Sequence, residues 1–158
     1  MEYTANSLFK KGYKNKHLQI LGHFGVCYII FPLMAIFNYE KYNSFDSKVI
    51  TSFILAITLI GGNIATISTI KLFNRIVNKM IISNSEITII TINLFSKKLK
   101  QVILQKDRIS ISKRTFPWEE KRMIPHGVII RDKKTRTEYY IVEAYFDEYD
   151  DLVEQLKQ

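Results

Sequence analysis

The residues best suited to acid–base chemistry are one histidine and two glutamates that lie close together in the sequence. His126 follows Glu119 and Glu120 by seven and six residues. An imidazole beside a carboxylate is able to transfer protons near neutral pH. The alternative is a polar loop next to a strand, and it is favoured because no nucleophile motif, phosphate-binding glycine loop or metal-ligand spacing accompanies the three residues. A single cysteine and three scattered histidines also argue against zinc. We therefore predict a protein that is not an enzyme and needs no cofactor.

A second pair of polar residues lies inside two long apolar windows of the chain. His23 belongs to the first window and Asn63 to the second, each one or two turns from a basic flank. In two antiparallel helices these side chains would lie at similar depth, and a hydrogen bond between them is worth about 1 kcal/mol or less. A proton or ion relay is the functional alternative, but without a carboxylate partner a packing contact is favoured. The small residues expected to let the helices approach closely are Gly22, Gly25, Gly61 and Gly62.

Both windows have the length and composition of membrane spans. Charged residues are absent from 17–39 and from 49–70, and a helix crosses the hydrocarbon core with about 20 predominantly apolar residues. We predict spans at about 18–39 and 49–71. The first window is longer than the apolar region of a signal peptide, and no small-residue cleavage site follows it. We therefore expect it to be retained as a helix.

The lysines and arginines that flank the spans predict their orientation. Residues 1–17 form a basic arm with four lysines, the turn 38–48 has two, and residues 71–79 contain three more basic residues. Positive charge in short flanking segments stays on the cytoplasmic side. We therefore predict a two-helix transmembrane hairpin over residues 18–77, multi-pass in the cytoplasmic (inner) membrane, with both termini cytoplasmic.

After the second span the apolar pattern changes from helical spacing to alternation. Residues 71–80 keep helical spacing and are expected to extend the span by one or two turns. Five later stretches alternate apolar with polar residues, as half-buried strands do, and Asp147–Lys157 has the apolar stripe of an amphipathic helix. The fold class is therefore α+β, with an antiparallel sheet over 78–158, closed by a C-terminal helix and expected to fold alone. The predicted strands are Glu86–Leu94, Lys98–Leu104, Asp107–Lys113, Gly127–Asp132 and Thr135–Glu143.

The second half of the chain resembles a known family of membrane proteins. Two spans followed by ISNSEITIITINL and VILQKDRISIS, and then by a hairpin and the helix YDDLVEQLK, are similar to small bacterial two-span proteins with a C-terminal pleckstrin-homology-like (bacterial PH) domain. The resemblance covers Lys79–Gln158 and the two-span layout. It implies a cytoplasmic PH-like domain that serves binding or assembly. Some relatives contribute to self-immunity against bacteriocins, and others belong to larger membrane assemblies.

Charge is distributed unevenly along the second half of the chain. Residues 71–136 carry a net charge of +11 and residues 137–158 a net charge of −6. Each Lys or Arg near an anionic leaflet contributes about 1 kcal/mol, so we predict a lipid-facing basic surface with one tryptophan at the headgroups. The alternatives are solvated edge-strand charges and nucleic-acid binding, which a membrane anchor disfavours. The predicted contact residues for membrane or partner are Lys97, Lys98, Lys100, Lys113, Arg114, Trp118, Lys121 and Arg122.

Taken together, these patterns predict a non-enzymatic, membrane-anchored adaptor or an accessory subunit of a membrane complex. The expected partners are anionic membrane lipids and another membrane protein or a second copy of this chain in a homo-oligomer. The alternative function is self-immunity, in which the protein protects the membrane against a toxin or bacteriocin. A gene for a small cationic toxin beside this one would favour immunity, whereas transporter or secretion genes would favour a subunit.

Overall fold

The computed structural model describes residues 1–34, 45–115 and 126–158. The chain forms two compact units. A sheet unit contains Met1–Tyr13 together with Leu72–Gln158, and a helical unit contains Lys14–Lys71. The helical unit is therefore inserted between two parts of the sheet unit, which is discontinuous in sequence.

The first sheet has four antiparallel strands in the order β1-β2-β3-β4. Its first strand is unexpected, because residues 1–17 were predicted to form a separate basic arm. Tyr3 instead lies opposite Met80 of β2, and both side chains are buried in the core. The strands are β1 Glu2–Thr4, β2 Val77–Ile82, β3 Glu86–Ile92 and β4 Leu99–Gln105.

Strand β2 occupies residues that were predicted to continue the second long helix. The spacing of apolar residues in β2 resembles that of a helix because a register shift between Val77 and Lys79 interrupts the regular alternation of the strand. As a result Val77 and Met80, three positions apart, are both fully buried. A spacing of three is also that of a helix face, so periodicity alone could not separate the two structures.

The second sheet has three antiparallel strands in the order β5-β6-β7, and a helix, α3, follows it. The predicted α+β class with antiparallel strands and a C-terminal helix is confirmed, but the strands form two sheets and not the single sheet that was expected. Helix α3 contributes Leu152 and Leu156 to the core. Tyr145 and Phe146, shortly before the helix in the sequence, are also buried. The element bounds are β5 Ile109–Thr115, β6 His126–Asp132, β7 Glu138–Val142 and α3 Tyr149–Lys157.

The helical segment has two long helices. Helix α1 covers Ser7–Gly25 and continues through a π-helical turn at Val26–Ile30. This turn lies just before Pro32, whose missing N–H and bulky ring disturb regular α-helical bonding. Helix α2 covers Phe45–Phe73. Both helices contain segments that are long and apolar enough to cross a membrane.

The first turns of α1 belong to the sheet unit and contribute to its core. Phe9 is 2% exposed, and its ring meets that of Tyr145 edge-on with centroids 5.5 Å apart. Gly12 lies on the same side of the helix, where an added Cβ would come within 2.9 Å of the Tyr145 hydroxyl. The core of the sheet unit therefore includes residues of α1 that precede the inserted segment.

Candidate functional site

A cleft of about 760 Å³ lies between the second sheet and α3. Its volume falls in the range of ligand-binding clefts, about 300–1,000 Å³. One wall is formed by the end of β5 and the start of β6, and the other by α3 with Glu143 from the turn after β7. The lining residues are Lys113, Arg114, Thr115, His126, Gly127, Glu143, Tyr149, Asp150, Val153, Glu154 and Lys157.

The sheet wall of the cleft is set by the register of two strands. Arg114 lies opposite Gly127, and Thr115 lies opposite His126. Strand β5 pairs only with β6 among the described strands of this sheet, and its last residues are exposed. Within the described part of the chain, the Lys113 and Arg114 side chains are therefore carried by an edge strand of this sheet.

The helical wall of the cleft follows from the amphipathic pattern of α3. Its cleft-lining residues Asp150, Val153, Glu154 and Lys157 are spaced at i, i+3, i+4 and i+7, which is one face of a helix. Leu152 and Leu156 lie on the buried side. Burial of that side fixes the rotation of α3 and turns the polar stripe toward the cleft.

The electrostatics of the cleft are mixed. Lys113, Arg114 and Lys157 supply positive charge, and Glu143, Asp150 and Glu154 supply negative charge. Burial, helped by the nearby charges of Glu143 and Asp150, raises the pKa of Tyr149 to about 12. The Tyr149 hydroxyl thus stays protonated at neutral pH and is able to donate a hydrogen bond. Such a cleft suits a ligand that presents both charges and hydrogen-bonding groups, as an extended polypeptide segment does.

The residues considered for acid–base or metal chemistry are only partly described. His126 lines the cleft and is exposed, whereas Glu119 and Glu120 lie outside the described residues, so their pairing with His126 stays a prediction. Within residues 1–34, 45–115 and 126–158, no three His, Cys, Asp or Glu side chains are grouped so that they could hold a metal ion.

The predicted basic contact residues separate into two groups. Lys97 and Lys98 belong to the turn between β3 and β4, and Lys100 lies on β4. Lys113 and Arg114 lie on the other sheet, in the cleft. The remaining three predicted contacts, Trp118, Lys121 and Arg122, lie outside the described residues.

The polar residues His23 and Asn63 make contacts with other residues of the helical unit. His23 Nε2 lies 3.4 Å from Cys27 Sγ, one turn along the same helix. Asn63 accepts a hydrogen bond from the Tyr28 hydroxyl and donates one to the Leu59 carbonyl at 2.8 Å. The contact expected between the two side chains stays a prediction.

Of the four glycines predicted to let the helices approach, only Gly62 lies at a close contact. A Cβ added there would come within 2.9 Å of His23 Nε2 and 3.2 Å of Cys27 Sγ. Nothing lies within 4 Å of a Cβ added at the other three. The expected role of small residues thus holds at one position of α2, and the structure gives no such role to Gly22, Gly25 and Gly61.

The acidic wall of the cleft was missed by sequence reasoning. The residues Asp150, Glu154 and Glu143 were counted only as part of the acidic region 137–158. The signal that could have identified Asp150 and Glu154 is the polar stripe of α3; Glu143 lies in the turn after β7 and is outside that stripe. No protein-family model matches the chain, and neither curated proteins nor solved structures give a match to it.

Proposed function

We propose that this chain is a non-enzymatic, membrane-anchored adaptor or accessory subunit that binds a protein partner through its sheet domain. The helical hairpin holds the domain at the cytoplasmic face of the inner membrane, and the cleft beside α3 receives the partner. The observation that carries this proposal is the insertion of two span-length apolar helices between the two sequence stretches of one sheet unit.

The way in which the helical segment is connected to the sheet unit supports a hairpin that crosses the membrane twice. The segment Lys14–Lys71 leaves the sheet unit after Tyr13 and returns to it at Leu72. A domain on one side of a bilayer requires an even number of crossings between those two points. Cleavage of the first helix as a signal peptide would also remove Tyr3, a core residue, which further supports retention of that helix.

The side chains of both helices support contact with lipid. Only 11% of the most apolar window of the first helix and 6% of that of the second are buried within the chain. A core helix of a soluble protein would be mostly buried, and large exposed apolar surfaces on monomers are otherwise rare. Large apolar side chains that are at least half exposed include Leu18, Ile29, Phe53, Ile54, Ile57, Ile60, Ile64 and Ile67.

The order of elements supports a PH-like domain. Strand β2, a short turn and β3 are followed by the segment that contains β4 and β5, and the chain ends with the β6–β7 hairpin and α3. This is the order implied by the resemblance of the sequence to bacterial PH domains. Since binding is the role that this resemblance implies, the fold and the cleft favour the same class of function.

The test of the proposal is whether partner capture depends on the cleft. The full chain is isolated from native membranes in mild detergent after cross-linking, alongside the charge-reversal variants Arg114→Glu and Arg108→Glu. Arg108 is exposed in the turn before β5 and does not line the cleft, so it is a matched control. We expect Arg114→Glu to lose a cross-linked partner that the wild type and Arg108→Glu retain. Equal capture by all three proteins would reject the cleft as the binding site.

A further inference from the structure

We propose that the turn between β3 and β4 docks onto anionic lipid headgroups beside the end of α2. Phe95 is the apolar contact, and Lys97 and Lys98 are the headgroup contacts. This inference deepens the proposed function and rests on it for the membrane anchor. It assigns lipid binding to one turn, and it leaves Lys113 and Arg114 to the cleft.

The position of the turn is fixed by a contact to the residue that follows α2. Phe73 is the last residue of α2, and Asn74 comes next. Asn74 Oδ1 accepts a hydrogen bond from the Leu94 N–H at 2.7 Å, and the Leu94 side chain is fully buried. If α2 spans the bilayer, this hydrogen bond holds the β3–β4 turn near the point where α2 leaves the bilayer.

The turn itself is tightly bonded, so that its shape is set before any lipid is met. Asn93 Oδ1 accepts hydrogen bonds from the N–H groups of Phe95 and Ser96, each at 3.0 Å. The Lys97 N–H donates to the Asn93 carbonyl, and the Asn93 N–H donates to the Lys98 carbonyl, both at 2.9 Å. A preformed turn loses little conformational entropy on binding.

The exposed side chains of the turn combine apolar and basic character. Phe95 is 44% exposed and Leu99, just after the turn, is 66% exposed. No acidic residue occurs in the sequence between Glu86 and Asp107. Apolar side chains with lysines beside them are typical of membrane-interface segments, and the charge is complementary to an anionic leaflet.

Lys97 has a backbone conformation that its side chain does not favour. Its φ angle is 54°, in the left-handed region, where glycine is the relaxed residue. Arg136, in the turn between β6 and β7, is the other described non-glycine residue with a positive φ, at 57°. Replacing either residue with glycine removes one positive charge and relieves the same kind of strain. The two variants therefore form a matched pair that differs only in place.

The experiment uses the full chain in nanodiscs, with Cys27 replaced by alanine. One environment-sensitive fluorophore is attached at Ser96→Cys in the turn, and a second protein carries it at Lys134→Cys in the β6–β7 turn. Quenching by spin-labelled lipid is measured in phosphatidylcholine discs with and without phosphatidylglycerol, at low and high salt. We expect the probe at residue 96 to be quenched at least twofold more than the probe at residue 134, in anionic discs and at low salt only.

The two glycine variants decide whether Lys97 is responsible for docking. We expect Lys97→Gly to lower the ratio of docked to undocked protein about fivefold, since one basic residue near the surface contributes about that factor, without lowering the thermal midpoint. Arg136→Gly is expected to leave docking unchanged. A chain that inserts into the discs but shows equal quenching at the two probes, or equal losses in the two variants, would overturn the docking alone. A chain that does not insert would refute the membrane anchor and the docking together.

Discussion

At the scale of single residues, Tyr3 joins the first strand of the chain to its last helix. Its hydroxyl donates a hydrogen bond to Asp151 Oδ2 at 2.6 Å, and its side chain is buried. Burial, and then the hydrogen bond and charge of Asp151, raises the pKa of Tyr3 to about 12. The folded state therefore holds this proton more tightly than the unfolded state, whose tyrosines ionise near pH 10. The resulting stabilisation is complete below about pH 10 and is lost as the pH rises through about 12.

This contact gives a prediction for Tyr3→Phe. The variant should lower the free energy of unfolding by about 1 kcal/mol at pH 7, because it removes one hydrogen bond. Its loss of stability between pH 10 and 12 should be smaller than that of the wild type. Denaturant unfolding in mild detergent at several pH values measures both effects. The control is Asp151→Asn, which keeps a hydrogen-bond acceptor but removes the charge. Identical pH profiles for the wild type and Tyr3→Phe would contradict the raised pKa of Tyr3.

At the scale of elements, α3 is the helix on which the sheet unit depends for its core. Leu152 is fully buried on the face opposite the polar stripe. Leu152→Asp should therefore place a carboxylate in the core without a partner, at a desolvation cost of several kcal/mol, comparable with the whole stability of a small domain. Glu154→Asp puts aspartate at an exposed position of the same helix and should change the thermal midpoint little. Equal midpoints for the two variants would show that α3 is not docked.

Strands β1 and β2 show that the sheet unit is not contained in its C-terminal part. A fragment that begins at Lys79 lacks five core side chains, each 4% exposed or less, and the burial of each is worth about 1.5–3 kcal/mol. In contrast to the expectation from the sequence, we therefore predict that 79–158 does not fold alone, whereas a polypeptide that joins 1–13 to 72–158 through a flexible linker does. Circular dichroism with thermal melting tests both. A cooperative β-sheet melt of 79–158 would refute the prediction. The five missing residues are Tyr3, Phe9, Phe73, Ile76 and Val77.

The strands that could be predicted from the sequence are those whose alternation matches their burial. In the first half of β3, Ile87 and Ile89 are fully buried and Thr88 between them is half-buried, so a period of two is visible there. In the second half the buried residue is Thr91, and the isoleucines on either side of it are half-buried. Strand β1 gives no such signal because it has three residues and only Tyr3 faces the core. Its partner Met80 lies 77 positions later, and sequence periodicity carries no information about pairing at that distance.

The candidate site could be predicted only on its basic side. Lys113 and Arg114 were identified from charge, but the acidic stripe that faces them belongs to α3, and only the tertiary structure brings the two elements together. The β3–β4 turn is a similar case, because its lysines were identified from the sequence but the position of the turn was not. The hydrogen bond that the Leu94 N–H donates to Asn74 Oδ1 places the turn near the end of α2. It depends on side-chain orientation, which no pattern of residue types specifies.

At the scale of the whole molecule, the discontinuous sheet unit constrains the topology independently of charge. Both ends of the helical segment return to one unit, which supports an even number of crossings but does not say on which side the unit lies. The side of the membrane on which the sheet unit lies is inferred from the distribution of lysine and arginine. Four basic residues before the first span and three just after the second outnumber the two between them, which favours a cytoplasmic sheet unit.

Cysteine labelling tests this combination of arguments. In a Cys27→Ala background, Ser44→Cys carries a label between the spans, at a position outside the described residues, and Lys134→Cys carries one in the exposed β6–β7 turn. We expect an impermeant thiol reagent to label Ser44→Cys in intact cells and Lys134→Cys only after lysis. Ser96→Cys serves as a second reporter of the sheet unit and must behave like Lys134→Cys. Labelling of both sheet-unit positions in intact cells would reverse the orientation and refute docking on the cytoplasmic leaflet. Labelling of only one of them would contradict the assignment of both turns, which lie within 72–158, to one folded unit, because a single folded domain cannot expose its turns on opposite sides of a membrane.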